Sequence, residues 1–134
     1  MATRMRVITT IILHCSDSDI EAHDNIETIT NWHLLRGFSS IGYHYFINKQ
    51  GSIFNGRPVE KIGAHCAWHN IDSIGICLSG EQLFNVEQFL TASILIKDLM
   101  QKFGIEQKNI LPHNYFNAYK TCPNFDIDRI ISLL

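Results

Sequence analysis

The sequence predicts an α/β (α+β) fold, a central mixed β-sheet flanked by helices. Three observations predict it. Short β-branched, apolar runs recur at residues 7–15, 41–47 and 74–78. Two longer stretches with helical apolar spacing begin after Asp24 and after Asn85. Strands interleaved with helices in this way bury their apolar faces by stacking helices on a sheet. The 134 residues form one ordinary domain, 1–134, and at 46% hydrophobic and 18% charged they fill a core without disulfide staples.

The elements follow in order. Residues 7–15 (VITTIILHC) read as a buried central strand ending near His14, and residues 16–23 as a polar loop. Asp24, with Glu27 three residues on, opens a helix that runs to about Arg36, where Gly37 supplies the stop. Ile26, Ile29, Trp32 and Leu35 face the core, which leaves His23 and His33 on the surface or flank. Residues 41–47 and 52–54 flank Asn48-Lys49-Gln50-Gly51, a hairpin signal. Alternation there puts Tyr43, Tyr45 and Ile47 on one face and His44 and Phe46 on the other. Residues 63–70 (GAHCAWHN) form a loop, and residues 74–78 another buried strand that Gly80 ends. Asn85 and Gln88 mark a second helix start, and that helix runs to about Phe103 before Gly104. Val86, Phe89, Leu90, Ile96, Leu99, Met100 and Phe103 form its core stripe. Ile110 and Leu111 lead into an irregular segment, after which Asp126 caps a short terminal helix.

Composition excludes some partners. Net charge is −2 and the positive residues are dispersed, so neither nucleic acid nor a polybasic membrane contact is indicated. Cys15, Cys66, Cys77 and Cys122 form no C-x-x-C pair, and Cys15 and Cys77 read as small buried hydrophobes. Residues 1–6 carry two arginines before an apolar run, which imitates a signal peptide. The run is short, and the polar break His14-Cys15-Ser16-Asp17 replaces a small-residue cleavage site. The expectation is therefore synthesis in the cytoplasm without a signal peptide, with no apolar segment long enough to span a bilayer.

The chemistry concentrates in residues 111–126 (LPHNYFNAYKTCPNFD), which place His113, Lys120 and Cys122 on one short segment. Zinc takes imidazole nitrogen and thiolate sulfur, and a catalytic zinc keeps three protein ligands and one open position. This segment offers two, nine residues apart, unlike the tight pairs of structural fingers. His14, at a strand end, is a candidate third. Pro112 and Pro123 stiffen the backbone beside the two donors. Residue by residue, other readings stand beside these. His14 reads also as a hydrogen-bonded histidine, Lys120 as a solvated lysine, Tyr43 as a core ring and His65 as a loop histidine satisfied by backbone. Trp68 and Arg57 are candidates for lining a glycan or peptide groove.

Four separated stretches carry a resemblance: residues 11–16 (IILHCS), 42–57 (GYHYFINKQGSIFNGR), 62–80 (IGAHCAWHNIDSIGICLSG) and 111–126. In this order they resemble the zinc-dependent N-acetylmuramoyl-L-alanine amidase family, that of bacteriophage T7 lysozyme and the peptidoglycan recognition proteins. The resemblance implies one Zn2+ per chain held by His14, His113 and Cys122. It implies Tyr43 and Lys120 as catalytic side chains, His65 and Asn70 at the substrate, and Asn70 and Ser73 as residues that shape the groove. It also implies a peptidoglycan substrate, cut between the lactyl group of N-acetylmuramic acid and L-alanine. Asn124 stands where the family more usually has Gly or Ser, which is expected to alter the loop and not the metal ligands.

The expected protein is thus a monomeric zinc amidase that degrades cell walls after release, as an endolysin or a bacterial relative. Three rivals remain. One is a binding module that holds peptidoglycan without cutting it; the presence of Cys122 argues against that. Another is a regulator of a protein partner such as a phage RNA polymerase. The third is a cysteine hydrolase using Cys15, which alternates away from His14 along the strand. No H-E-x-x-H occurs, so no glutamate base can be named.

Overall fold

The structure is a computed structural model that describes residues 5–134. Residues 1–4, including Arg4 of the basic start, lie outside the described residues. In chain order the elements are β1 (Thr10–Cys15), α1 (Ile26–Leu35), β2 (Tyr45–Ile47), β3 (Ile53–Asn55), β4 (Ser73–Leu78), α2 (Val86–Phe103), β5 (Ile110–Pro112), α3 (His113–Phe116) and α4 (Asp128–Ile131). The five strands make one mixed sheet in the order β3-β2-β4-β1-β5. β1 runs parallel to β4 on one side and to β5 on the other, β2 runs parallel to β4, and β3 pairs antiparallel with β2. The sheet with helices on it is the α/β architecture that the apolar pattern predicts.

The two central strands are almost wholly apolar because both faces of the sheet are covered. On one face Ile11, Leu13, Ile74, Ile76 and Leu78 pack against Phe89, Ile96 and Leu99 of α2 and Ile130 of α4. On the other, Phe46 and Cys77 pack with Ile29 of α1 and with Ile41. α2 starts with both halves of a capping box, Asn85 and Gln88, and ends at Gly104 in the left-handed region. Gln88 does more than cap. It is fully buried, and its Nε2 donates to the carbonyls of Ser79 at 2.8 Å and Ile47 at 3.4 Å. One amide thereby ties the start of α2 to the ends of β4 and β2.

Several expectations shift. β1 starts at Thr10, and Val7 is exposed. Asn25, not Asp24, caps α1 by accepting the Thr28 N–H at 2.8 Å. The Asp24 carboxylate instead accepts the Lys49 N–H, fastening the hairpin loop. Leu35 is exposed and His33 is buried, the reverse of the periodic reading. The reason is local: His33 Nδ1 accepts the Gly42 N–H at 2.7 Å, which draws that side of α1 inward. Pairing of β2 begins only at Tyr45, so strict alternation does not reach back to Tyr43. Tyr43 packs with Phe46 under α1, while Tyr45 and Ile47 face α2. Val86 and Leu90 of the proposed core stripe are exposed. β5 has no counterpart in the apolar pattern; it has three residues and ends in a proline. Among the described residues no helix is long and apolar enough to cross a membrane.

Replacing Gln88 with Leu keeps volume but strands the Ser79 carbonyl and takes away the acceptor of the Asn85 N–H, while Ile47 keeps the Ser79 N–H. Urea unfolding is expected to show a loss of about 1–3 kcal/mol.

Candidate metal centre and active-site cleft

The sheet brings the site together through register. β1 pairs Leu13 with Pro112, the last residue of β5, so His14 and His113, the first residue of α3, stand side by side. Their ring centroids are 4.4 Å apart. Cys122 returns to the same end on the loop after α3, where its Sγ accepts the Cys15 N–H at 3.1 Å. His14, His113 and Cys122 each offer a ligand atom, and these atoms lie within 4.8 Å of one another. Tetrahedral zinc with two nitrogens and a sulfur holds its donors about 3.5 Å apart, so the donor set fits that ion with a small contraction.

Two of the donors, His14 and Cys122, also carry suitable protonation states. Burial, then the neighbouring rings of His65, His113 and His33, hold His14 well below the ordinary histidine range, so it stays a neutral imidazole. The adjacent Cys15 thiol pulls Cys122 toward thiolate against the cost of burial, helped by His113 and the Cys15 N–H. The same contact pushes Cys15 up, so Cys15 stays a thiol and a poor nucleophile. These states suit a two-imidazole, one-thiolate site.

A second layer fixes the tautomer. Ser73 Oγ donates to the His69 carbonyl at 2.6 Å, so it accepts from His65 Nε2 at 3.3 Å. His65 Nδ1 is then the acceptor from His14 Nε2 at 2.8 Å. His14 Nδ1 therefore keeps a free lone pair, the arrangement that second-shell partners impose on metal histidines. Both ring nitrogens of His65 are occupied inside the protein, although its ring borders the cleft. Two glycines make room for that ring. A Cβ at Gly75 would meet it at 2.6 Å, and one at Gly63 would meet it at 2.7 Å. A glycine inside a strand is a sequence signal for such a close approach.

The loop carrying His65 is anchored twice. Asn70 Oδ1 accepts the N–H groups of His65 at 3.0 Å and Cys66 at 2.9 Å. Arg6 reaches across to the carbonyls of Val59 at 3.0 Å, Ile71 at 3.2 Å and Ser73 at 2.8 Å. Nothing in the local pattern around Arg6 marks it for this clamp. Arg57, a groove candidate from sequence, is spent on the carbonyls of Ile41 and Ile62 and on the Ser40 hydroxyl.

His113 and Cys122 open on a cleft of about 490 Å³ that is bordered also by Tyr43, Asn70, Lys120 and Arg36. Of the sequence-named site residues, Tyr43, His65, Asn70, His113, Lys120 and Cys122 border this cleft, and His14 lies buried beneath it against the rings of Tyr43, His65 and His113. The Tyr43 ring lies 5.0 Å from that of His14. Its phenol is pushed well above the ordinary value by burial and then by the neighbouring thiols. A second depression of about 640 Å³, bordered by Glu81, Asn114, Thr121 and Asn124, contains no such donor set. Asn124 sits there at φ 66 and donates to the Glu81 carbonyl at 2.9 Å.

Fold and donor set together define an α/β protein with two imidazoles and a thiol clustered at an open cleft, a set that could hold a metal ion. The N-acetylmuramoyl-L-alanine amidase family model matches residues 4–125, and the chain belongs to that family. It is 29% identical to the endolysin of Escherichia phage T7 over 127 residues, which covers 89% of this chain and 82% of that one. The solved amidase LysC from Clostridium intestinale URNW superposes with a TM-score of 0.84 at 28% identity, covering 98% of this chain and 90% of that one. Drosophila PGRP-LB superposes with a TM-score of 0.75 at 27% identity, over 91% of this chain and 79% of that one.

Two buried histidines of the supporting layer set a pH limit. His33 is held down to about 4 by burial and then by Arg36 and Arg57. His44 is held down to about 4 by burial and by Arg6 and Arg57, against the Lys61 carbonyl that its Nε2 meets at 2.9 Å. The unfolded chain binds these protons near pH 6.5 and the folded chain only near 4, so between the two the unfolded state holds more protons. Stability is full above pH 6.5 and is lost as pH falls toward 4. Thermal melts across that window are expected to show a falling Tm, with a flatter slope in His33→Asn, which keeps an acceptor for Gly42.

Proposed function

We infer that the chain is an amidase that hydrolyses peptidoglycan between N-acetylmuramic acid and L-alanine, with residues 1–134 forming one catalytic domain that acts as a monomer. The observation that carries this reading is the convergence of His14, His113 and Cys122 on the floor of a cleft that also presents Tyr43 and Lys120. His14 Nδ1, His113 and Cys122 Sγ are the proposed ligands of one zinc ion. Bound there, zinc supplies Lewis acidity, which acidifies water and polarises a carbonyl.

The protein's own groups do the rest. Water adds to the lactyl carbonyl, the C–N bond breaks, and the leaving nitrogen takes a proton, giving a lactyl carboxylate and a free L-alanine amine. Lys120 borders the cleft from the Cys122 loop as a compact cation, and its role is to stabilise the negative charge that develops on the carbonyl oxygen. Tyr43 stays protonated, so it acts as a donor and not as a base. Its hydroxyl donates to the oxyanion. His65 aligns His14 through the 2.8 Å contact and does not bind substrate directly. Asn70 holds the loop with its carbonyl oxygen and leaves its amide NH2, which has no partner among the described residues, for the substrate. Action on the wall after release completes the reading.

The test is a cell-wall digest with metal analysis. Purified protein is expected to carry one zinc and to release stem peptides with new L-alanine amines. Cys122→Ser is expected to lose both zinc and release. Retention of full zinc and activity in that variant would remove the site assignment; tight wall binding without new amines would favour the binding-module rival. Lys120→Ala, by contrast, is expected to keep its zinc while kcat falls roughly a hundred- to thousandfold.

A further inference from the structure

Two aromatic side chains stand almost wholly in solvent beside the cleft. Trp68 is 95% exposed and Tyr119 is 99% exposed. Each adjoins a residue that borders the cleft, Ala67 beside Trp68 and Lys120 beside Tyr119. Their two loops touch, since the rings of His69 and Phe116 lie 4.3 Å apart. The pair therefore belongs to one stretch of cleft rim.

Trp68 is held there against its own preference. Its φ is 72, the left-handed region that disfavours a bulky side chain. The surrounding turn imposes that conformation: Asn70 Oδ1 accepts the His65 and Cys66 N–H groups, and His69 N–H donates to the Cys66 carbonyl at 3.0 Å. Glycine would make the same turn without strain. Among the described residues the indole has no ring partner, no hydrogen bond and no burial in return. Strain of this kind at a cleft margin points to a ligand outside the chain.

The cleft decides which ligand. The proposed scissile bond joins a sugar-borne lactyl group to a peptide, so the substrate leaves the cleft as glycan on one side and as peptide on the other. A peptide with free carboxylates is drawn to Arg36 and Lys120, which border the cleft. A pyranose ring has an apolar C–H face edged by hydroxyls, and it matches a flat exposed indole or phenol that covers the face and leaves the hydroxyls wet. We propose that Trp68 and Tyr119 form a stacking lip for the glycan strand that bears the scissile stem peptide. The proposal rests on the amidase reading for the choice of substrate.

The experiment uses peptide-free strands of alternating N-acetylglucosamine and N-acetylmuramic acid as the probe. They bind without being cut, so the lip is read apart from catalysis. Calorimetric titration of wild type, Trp68→Gly and Tyr119→Ala is paired with thermal melts and with a digest of intact walls. Expected is measurable binding by wild type, a Kd about five- to tenfold weaker in Trp68→Gly, a smaller loss in Tyr119→Ala, and a Tm in Trp68→Gly equal to or above wild type. Wild type that digests walls but does not bind the strands overturns the lip and leaves the amidase reading standing. Trp68-dependent strand binding without wall digestion supports the lip and removes the amidase reading. A lowered Tm in Trp68→Gly, or unchanged strand binding, assigns the indole to the fold and overturns the proposal.

Discussion

The whole site depends on β1 being paired in parallel on both sides. That pairing sets His14 opposite Cys77 of β4 and one step beyond the Leu13–Pro112 pair with β5. The strand ladder is what makes two histidines 99 positions apart into neighbours. A slip of one residue in either pairing would turn His14 to the opposite face of the sheet and separate it from His113. The near-continuous burial of β1 and β4 holds the register, since a slip would also bring polar groups into two packed cores. The placement of the two imidazoles is in this sense inherited from hydrophobic packing.

The third donor is positioned by hydrogen bonding. Cys122 reaches the strand end because the Cys15 N–H, the last of β1, has no strand partner and finds a sulfur instead. One contact satisfies a buried donor and biases the sulfur toward thiolate. The burial of His14 and His65 keeps their rings neutral, and the Ser73 hydroxyl, committed to a carbonyl, orders the protons along the pair. The donors are thereby oriented by the protein's own hydrogen bonds.

The cleft itself is a balance between rigid floor and strained rim. The floor is strand ends and packed rings. The rim is the loop of residues 63–70 and the segment after α3, tied down by Arg6 and Asn70 and by the contact of His69 with Phe116. Left-handed backbone at Asp17 and Trp68 falls in the loops around the cleft and not in the sheet. Such conformations persist only where neighbouring hydrogen bonds overdetermine the backbone.

The sequence alone determined the fold class, because period-2 and period-3.6 apolar patterns are local consequences of strand and helix geometry. It also determined which residue types could hold a metal: an imidazole and a thiol on one proline-flanked segment, with a second imidazole at a strand end. Gly75 inside a strand was a legible sign of close approach, though not of what approached. Tertiary structure decided the rest. It showed that His65 faces His14 and not open solvent, that Arg57 is a buttress, that His33 is buried while Leu35 is exposed, and that Arg6 clamps a loop some sixty residues away. None of these follows from spacing. Each depends on which backbone carbonyls and ring nitrogens are left without partners once the sheet has closed, and that is a property of the packed chain as a whole.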